Sequence, residues 1–203
     1  MVHVKICGIT SIDDALAAVD LGASAIGLNF VTGSPRRIDV ARACEISRAV
    51  GTRALVVGVV ADMTVDAMRA LVEDAELGCL QLHGDEPPEA LVPLLPHAYK
   101  AVRIATAEDV TRASSFDGEH ILVDAKVEGA LGGTGKTFDW SLVKSLATTR
   151  KLTVAGGLGR DNVALAVRAV RPYCVDVASG VESSPGVKDR AKMKGFIDAA
   201  RNA

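Results

Sequence analysis

The chain has 203 residues, of which 49% are hydrophobic, 3% aromatic and 24% charged, and its net charge is −2. That length carries one sizeable core. A near-neutral charge, with no Lys/Arg-rich run and no series of stacking aromatics, argues against nucleic acid or a membrane surface as a partner.

Short β-branched runs recur along the chain, at 2–6, 25–30, 54–60, 78–82, 99–104, 120–124, 151–155 and 174–178. Each predicts a strand. Helix-like periodicity fills the gaps. SIDDALAAVDLG opens with Ser11 as N-cap and stops at Gly22. IDVARACEISRAVG, MTVDAMRALVEDAELG and RDNVALAVRAVRP follow the same pattern, the segment after Pro87 is short and proline-interrupted, and VKDRAKMKGFIDAARN predicts the last helix. Eight strand–helix alternations imply parallel strands joined by right-handed crossovers. We therefore expect an α/β fold, a single (β/α)8 barrel spanning 1–203. An open dinucleotide-binding sheet needs fewer units and a G-x-G-x-x-G turn, whereas the first turn here is CGIT.

The cysteines Cys7, Cys44, Cys79 and Cys174 lie far apart and form no C-x-x-C pair. Reduced thiols in a cytoplasmic protein fit this usage. Lys5 interrupts the N-terminus before signal-peptide length, and no run reaches the roughly 18 apolar residues of a membrane span. Composition leaves monomer and homodimer both open.

In such a barrel, chemistry belongs at the C-terminal strand ends. There the sequence places Cys7-Gly8, Asn29, Asp62, Gln81 and His83, Arg103, Asp124, Gly156-Gly157 and Ser179-Gly180. Strand parity puts His3, Lys5 and Cys7 on the inward face of the first strand, with Val4 and Ile6 toward the helices. Asp176 faces inward on the eighth, so Lys5 and Asp176 are expected to be ion partners below the site.

Two glycine loops, after strands seven and eight, suit a phosphate held by backbone N–H groups. Tight turns alone would also use glycine. Cys7 as thiolate and Asp124 as acid could move protons in opposite directions across one pocket. Singly, a buried small hydrophobe and a helix cap explain them as well. Arg36 or Arg37, in GSPRR, could clamp a carboxylate, or could simply be solvated. LGGTGKTFDW (131–140) has lid-like composition. The histidines His3, His83, His97 and His120 lack metal-ligand spacing. No metal is expected, and a structural role is the better reading of His83.

KICGIT (5–10), SPR (34–36), QLHG (81–84), LVDA (122–125), GGTGKTFDW (132–140), AGGL (155–158) and DVASGVESSPGVKD (176–189) occur in one order. As a set they resemble the phosphoribosylanthranilate isomerase family of tryptophan biosynthesis. The resemblance implies a cofactor-free Amadori rearrangement. N-(5′-phosphoribosyl)anthranilate would become 1-(2-carboxyphenylamino)-1-deoxyribulose 5-phosphate. It implies Cys7 as general base, Asp124 as general acid and Arg36 on the anthranilate carboxylate. Gly156, Gly157, Ser179 and Gly180 match the phosphate loops, and Asp176, Lys5, Gln81 and His83 stand as accessory residues. The partner would be a small phosphoribosyl substrate. A histidine-pathway isomerase would use two aspartates, which Cys7 argues against. The other alternative is a non-catalytic phosphosugar-binding barrel, in which the acid–base pair need not persist.

Overall fold

The computed structural model describes residues 1–125 and 139–203. Eight parallel strands close into a barrel in chain order. They are β1 (His3–Cys7), β2 (Ala25–Asn29), β3 (Leu55–Val60), β4 (Cys79–Leu82), β5 (Ala98–Ile104), β6 (His120–Ala125), β7 (Lys151–Val154) and β8 (Cys174–Val177), and β8 pairs back onto β1. The expected (β/α)8 architecture is the observed one. The helices between and after them are α1 (Ile12–Asp20), α2 (Val40–Val50), α3 (Val65–Asp74), α4 (Pro88–Leu91), α5 (Ala107–Ser114), α6 (Lys144–Thr149), α7 (Val163–Val170) and α8 (Arg190–Arg201). Among the described residues, no helix is long and apolar enough to cross a membrane.

Local chemistry sets the boundaries. The Ser11 side chain accepts from the Asp14 N–H at 3.1 Å, which starts α1 as its N-cap. Asp39, Thr64 and Asp189 cap α2, α3 and α8 in the same way. Pro93 sits in a short 3-10 turn directly after α4, which keeps that helix to one turn.

One element differs from expectation, the segment ahead of the last helix. Helix α5, the expected fifth helix, is largely polar and buries little beyond Ala113. Its start is held by Asp109, whose Oδ2 accepts from the N–H groups of Ala105 and Thr106 at 2.9 and 3.1 Å. The segment expected to open the last helix begins instead as a strand. Here β9 (Glu182–Ser184) and β10 (Val187–Lys188) form an antiparallel hairpin ahead of α8. It is tied both to the rest of the barrel and to itself. The Lys188 N–H donates to Asp14 Oδ2 at 3.0 Å, and Lys188 Nζ to Glu182 Oε1 at 2.8 Å.

The strand period divides the core in two. Val4, Ile6, Val175 and Val177 point outward and are buried under the helices. The inward faces hold a smaller apolar cluster of Ala25, Val57, Tyr99, Ala101, Leu122 and Ala155. Polar side chains share that interior: Lys5, Gln81, Thr153 and Asp176 are all buried. Barrel interiors are more often filled by branched apolar side chains. The polar belt is therefore the part of this fold that needs a functional account.

Candidate active site

A cavity of about 370 Å³ opens over the C-terminal ends of the strands. Cys7, Arg36, Gln81, His83, Asp124, Gly156, Gly157, Asp176 and Ser179 all line it. Barrel closure thus brings together residues from strand ends and loops that are far apart in sequence.

Cys7 is the last residue of β1. Opposite it in register stands Gly27 of β2. A Cβ on Gly27 would lie 2.7 Å from Cys7 Sγ, so the absent side chain is what makes room for the thiol. Gly8 then turns the chain with φ +74°, and the Arg36 stem lies against it. Burial pushes the Cys7 thiol above the ordinary cysteine value, against the pull of the Lys5 and Lys188 ammonium groups.

Lys5 sits one inward position below. Its Nζ donates to Asp176 Oδ2 at 2.8 Å and to Gln81 Oε1 at 2.9 Å. The expected ion pair is present, with both partners buried. Burial works against the Lys5 charge, but Asp176, Cys7 and Tyr99 outweigh it and raise Lys5 well above the ordinary lysine value. Asp176 Oδ1 is buried and has no hydrogen-bond partner among the described residues.

Across the barrel, Asp124 lies near the end of β6 and is 5% exposed. Gly156 lets the loop after β7 pass it closely. A Cβ there would come 2.3 Å from the Ala125 nitrogen and 2.6 Å from Asp124 Oδ1. His83 Nε2 stands 3.4 Å from Asp124 Oδ2, and its Nδ1 is 3.1 Å from Gln81 Nε2. His83 therefore lines the cavity beside Asp124. The reason is closure, which sets β4 and β6 around one mouth.

Arg36 faces the cavity, while Arg37 lies outside its lining. The Arg36 guanidinium donates through Nε and Nη2 to the two carboxylate oxygens of Glu182, each at 2.8 Å. Glu182 also accepts from the wholly buried Lys188 Nζ. Burial works against the Glu182 charge, yet the two cations win and lower it below the ordinary carboxylate value. Nη1 is the guanidinium nitrogen that Glu182 does not engage. Glu182 and Lys188 stand inside a motif whose sequence alone assigns them no role. Their roles depend on the β9–β10 hairpin, which apolar periodicity does not announce.

The glycine loops form the far rim. Gly156 and Gly157 have φ of +86° and +63°. Among the described residues, the N–H groups of Gly156, Gly157 and Ser179 donate to no backbone carbonyl. Asn162 braces the first loop, accepting from the Gly159 N–H at 2.8 Å and donating to the Gly157 carbonyl at 2.9 Å. Gly180 is not in the cavity lining. A Cβ there would lie 2.2 Å from the Leu158 carbonyl oxygen, so this glycine allows the two loops to touch. Of the glycine-rich stretch 131–140, only Asp139 and Trp140 fall within the described residues.

Residues 4–199 match the family model for N-(5′-phosphoribosyl)anthranilate (PRA) isomerase. The N-(5′-phosphoribosyl)anthranilate isomerase of Myxococcus xanthus is 45% identical over 205 residues, covering 99% of this chain and 97% of that protein. The enzyme of the same name from Pseudomonas aeruginosa is 44% identical, covering 99% and 96%. The crystal structure of phosphoribosyl anthranilate isomerase from Thermotoga maritima superimposes with a TM-score of 0.92 at 39% identity, covering all of both chains. A phosphoribosyl anthranilate isomerase in complex with reduced 1-(o-carboxyphenylamino)-1-deoxyribulose 5-phosphate superimposes at 0.88 and 36%, again over both full chains. This chain belongs to the N-(5′-phosphoribosyl)anthranilate isomerase family and is an isomerase of tryptophan biosynthesis.

Proposed function

We propose that Cys7 and Asp124 are the base and acid of a cofactor-free Amadori rearrangement of N-(5′-phosphoribosyl)anthranilate in this cavity. Asp124 gives a proton to the ribose ring oxygen, and the ring opens to a Schiff base. The Cys7 thiolate takes the C2′ proton and leaves an enolamine, which tautomerises to the ketone. The N–H groups of Gly156, Gly157 and Ser179 hold the phosphate, with Gly180 keeping their two loops together. Arg36 offers Nη1 to the anthranilate carboxylate while Glu182 holds its plane. Asp176 Oδ1, without a hydrogen-bond partner among the described residues, accepts from a sugar hydroxyl.

The observation that carries this reading is the shared cavity. A thiol, a carboxylic acid, an arginine and two loops whose N–H groups find no backbone acceptor among the described residues line one space of about 370 Å³. That space fits a small ligand with an anion at each end. The thiol must ionise before it accepts a proton, and Lys5 and Lys188 are the cations that favour this.

The test generates phosphoribosylanthranilate from anthranilate and phosphoribosyl pyrophosphate with a coupling transferase, and follows its fluorescence decay. We expect decay well above the uncatalysed rate, lost in Cys7→Ala with the fold retained. Full decay in Cys7→Ala would refute the base assignment. No decay with the wild-type chain would leave a phosphosugar-binding barrel.

A further inference from the structure

The proton transfers assigned to Cys7 and Asp124 use neither Gln81 nor His83, yet both line the cavity, and Gln81 is 1% exposed. They form a bridge of polar contacts between the β1/β8 side and the β6 side. Asp176 accepts from Lys5 at 2.8 Å, and Lys5 donates to Gln81 at 2.9 Å. Gln81 meets His83 Nδ1 at 3.1 Å, and His83 Nε2 faces Asp124 Oδ2 at 3.4 Å.

The direction of this bridge follows from valence. A lysine ammonium has donors only, so the amide atom facing Lys5 must be the oxygen. The Tyr99 hydroxyl donates to the same oxygen at 3.1 Å. The Gln81 NH₂ group is then left facing His83, and it too can only donate. Nδ1 must therefore accept, and the imidazole proton sits on Nε2. That N–H has no hydrogen-bond partner among the described residues, and Asp124 Oδ2 is the carboxylate oxygen it faces.

We infer that Lys5, acting through Gln81, fixes His83 in the Nε2–H tautomer so that it donates toward Asp124. Gln81 and Lys5 are positioning residues in this scheme. The inference rests on Asp124 being the acid. As Asp124 gives up its proton, negative charge grows on its carboxylate, and the pre-aimed Nε2–H stabilises that charge without reorganising. A neutral donor suits an acid better than a cation would. A fixed positive charge would favour the ionised carboxylate before substrate arrives.

The experiment is ¹⁵N NMR of histidine-labelled protein at neutral pH, with His83 assigned by comparison with His83→Asn. The expected result is an unprotonated Nδ1 and a protonated Nε2. A proton on Nδ1, or on both nitrogens, would overturn the inference. Gln81→Glu is close in shape but presents an acceptor to Nδ1. It should move the proton to Nδ1 and lower kcat at least about tenfold, with KM little changed. A Gln81→Glu protein that keeps the wild-type tautomer and kcat would also overturn it. Turnover of Asp124→Asn separates the two claims. Wild-type turnover there would remove the acid assignment, and with it the catalytic purpose of the tautomer, whichever nitrogen carries the proton.

Discussion

The two ends of the barrel interior use the same inward strand positions for opposite purposes. At the N-terminal end, His120 stacks on Tyr99 with ring centroids 4.4 Å apart, and its Nε2 lies 2.6 Å from the Thr153 hydroxyl. Burial pushes His120 down to about 4, with the cations Lys5, Lys151 and Arg150 adding to the shift, so this histidine is neutral at physiological pH. At the C-terminal end the next positions up are Cys7, Asp124 and Asp176, around an open cavity. Lys5 and Gln81 lie between. The lower end satisfies its polar groups with each other. Among the described residues, the upper end leaves N–H groups and a carboxylate oxygen unengaged. Groups that must meet a substrate cannot already be satisfied by the protein, and that difference separates stability from function within one barrel.

Substitutions at the two ends should therefore separate turnover from folding. The largest effect belongs to Asp124→Asn. It should cut kcat by about 10²- to 10⁴-fold, the usual worth of a positioned acid, with the melting temperature little changed. Steady-state kinetics beside thermal denaturation checks both halves. Next comes Lys5→Met, which strands the buried Asp176 carboxylate. It should lose about 3–5 kcal/mol of stability, and Lys5→Met/Asp176→Leu should recover most of it. Urea denaturation reads this directly, and an unimpaired single variant would mean that the pair is not buried as described.

Arg36→Ala should raise KM about 10- to 100-fold with a smaller change in kcat, as expected for loss of a charged hydrogen bond to substrate. An unchanged KM would remove the carboxylate clamp. Because burial holds the Cys7 thiol above the ordinary cysteine value, the thiolate fraction is limited near neutrality. From neutral pH upward, kcat/KM should climb about tenfold per pH unit until the thiol ionises. A flat profile would argue against a thiolate base.

The smallest effect on activity is expected at the lower end. His120→Asn should cost about 1–3 kcal/mol, through the lost contact to Thr153, and leave kcat unchanged. It should also alter the acid limb of stability. His120 is depressed from the ordinary 6.5 to about 4, so the unfolded chain binds its proton first. Stability from this group is complete above about 6.5 and falls as the pH drops toward 4. Denaturation across that window should be flatter in the variant.

Much of the site is legible in the sequence because it lies on strands. Parity assigns Lys5, Cys7, Asp124 and Asp176 to the interior from a two-residue period alone, and the structure buries the two ends of the Lys5–Asp176 pair together. The loops and hairpin are less legible. The sequence suggests Arg36 as a clamp for a ligand carboxylate, yet in this structure it carries one of the chain's own, Glu182. The start of helix α5 is set by a side-chain contact, Asp109 accepting from the Ala105 and Thr106 N–H groups. His83 reads as structural in the sequence because nothing near it predicts Asp124 as its neighbour.

By itself the sequence determined what is local: eight strand–helix units, the caps that start several helices, and the inward or outward side of each strand residue. These follow from hydrogen bonding and side-chain direction within a few residues. Only the tertiary structure decided which distant groups meet. Lys5 reaches Gln81 across 76 positions and Asp176 across 171, and Arg36 reaches Glu182 across 146. Those meetings depend on strand register and barrel closure, which are set by packing of the whole interior and have no local period to reveal them.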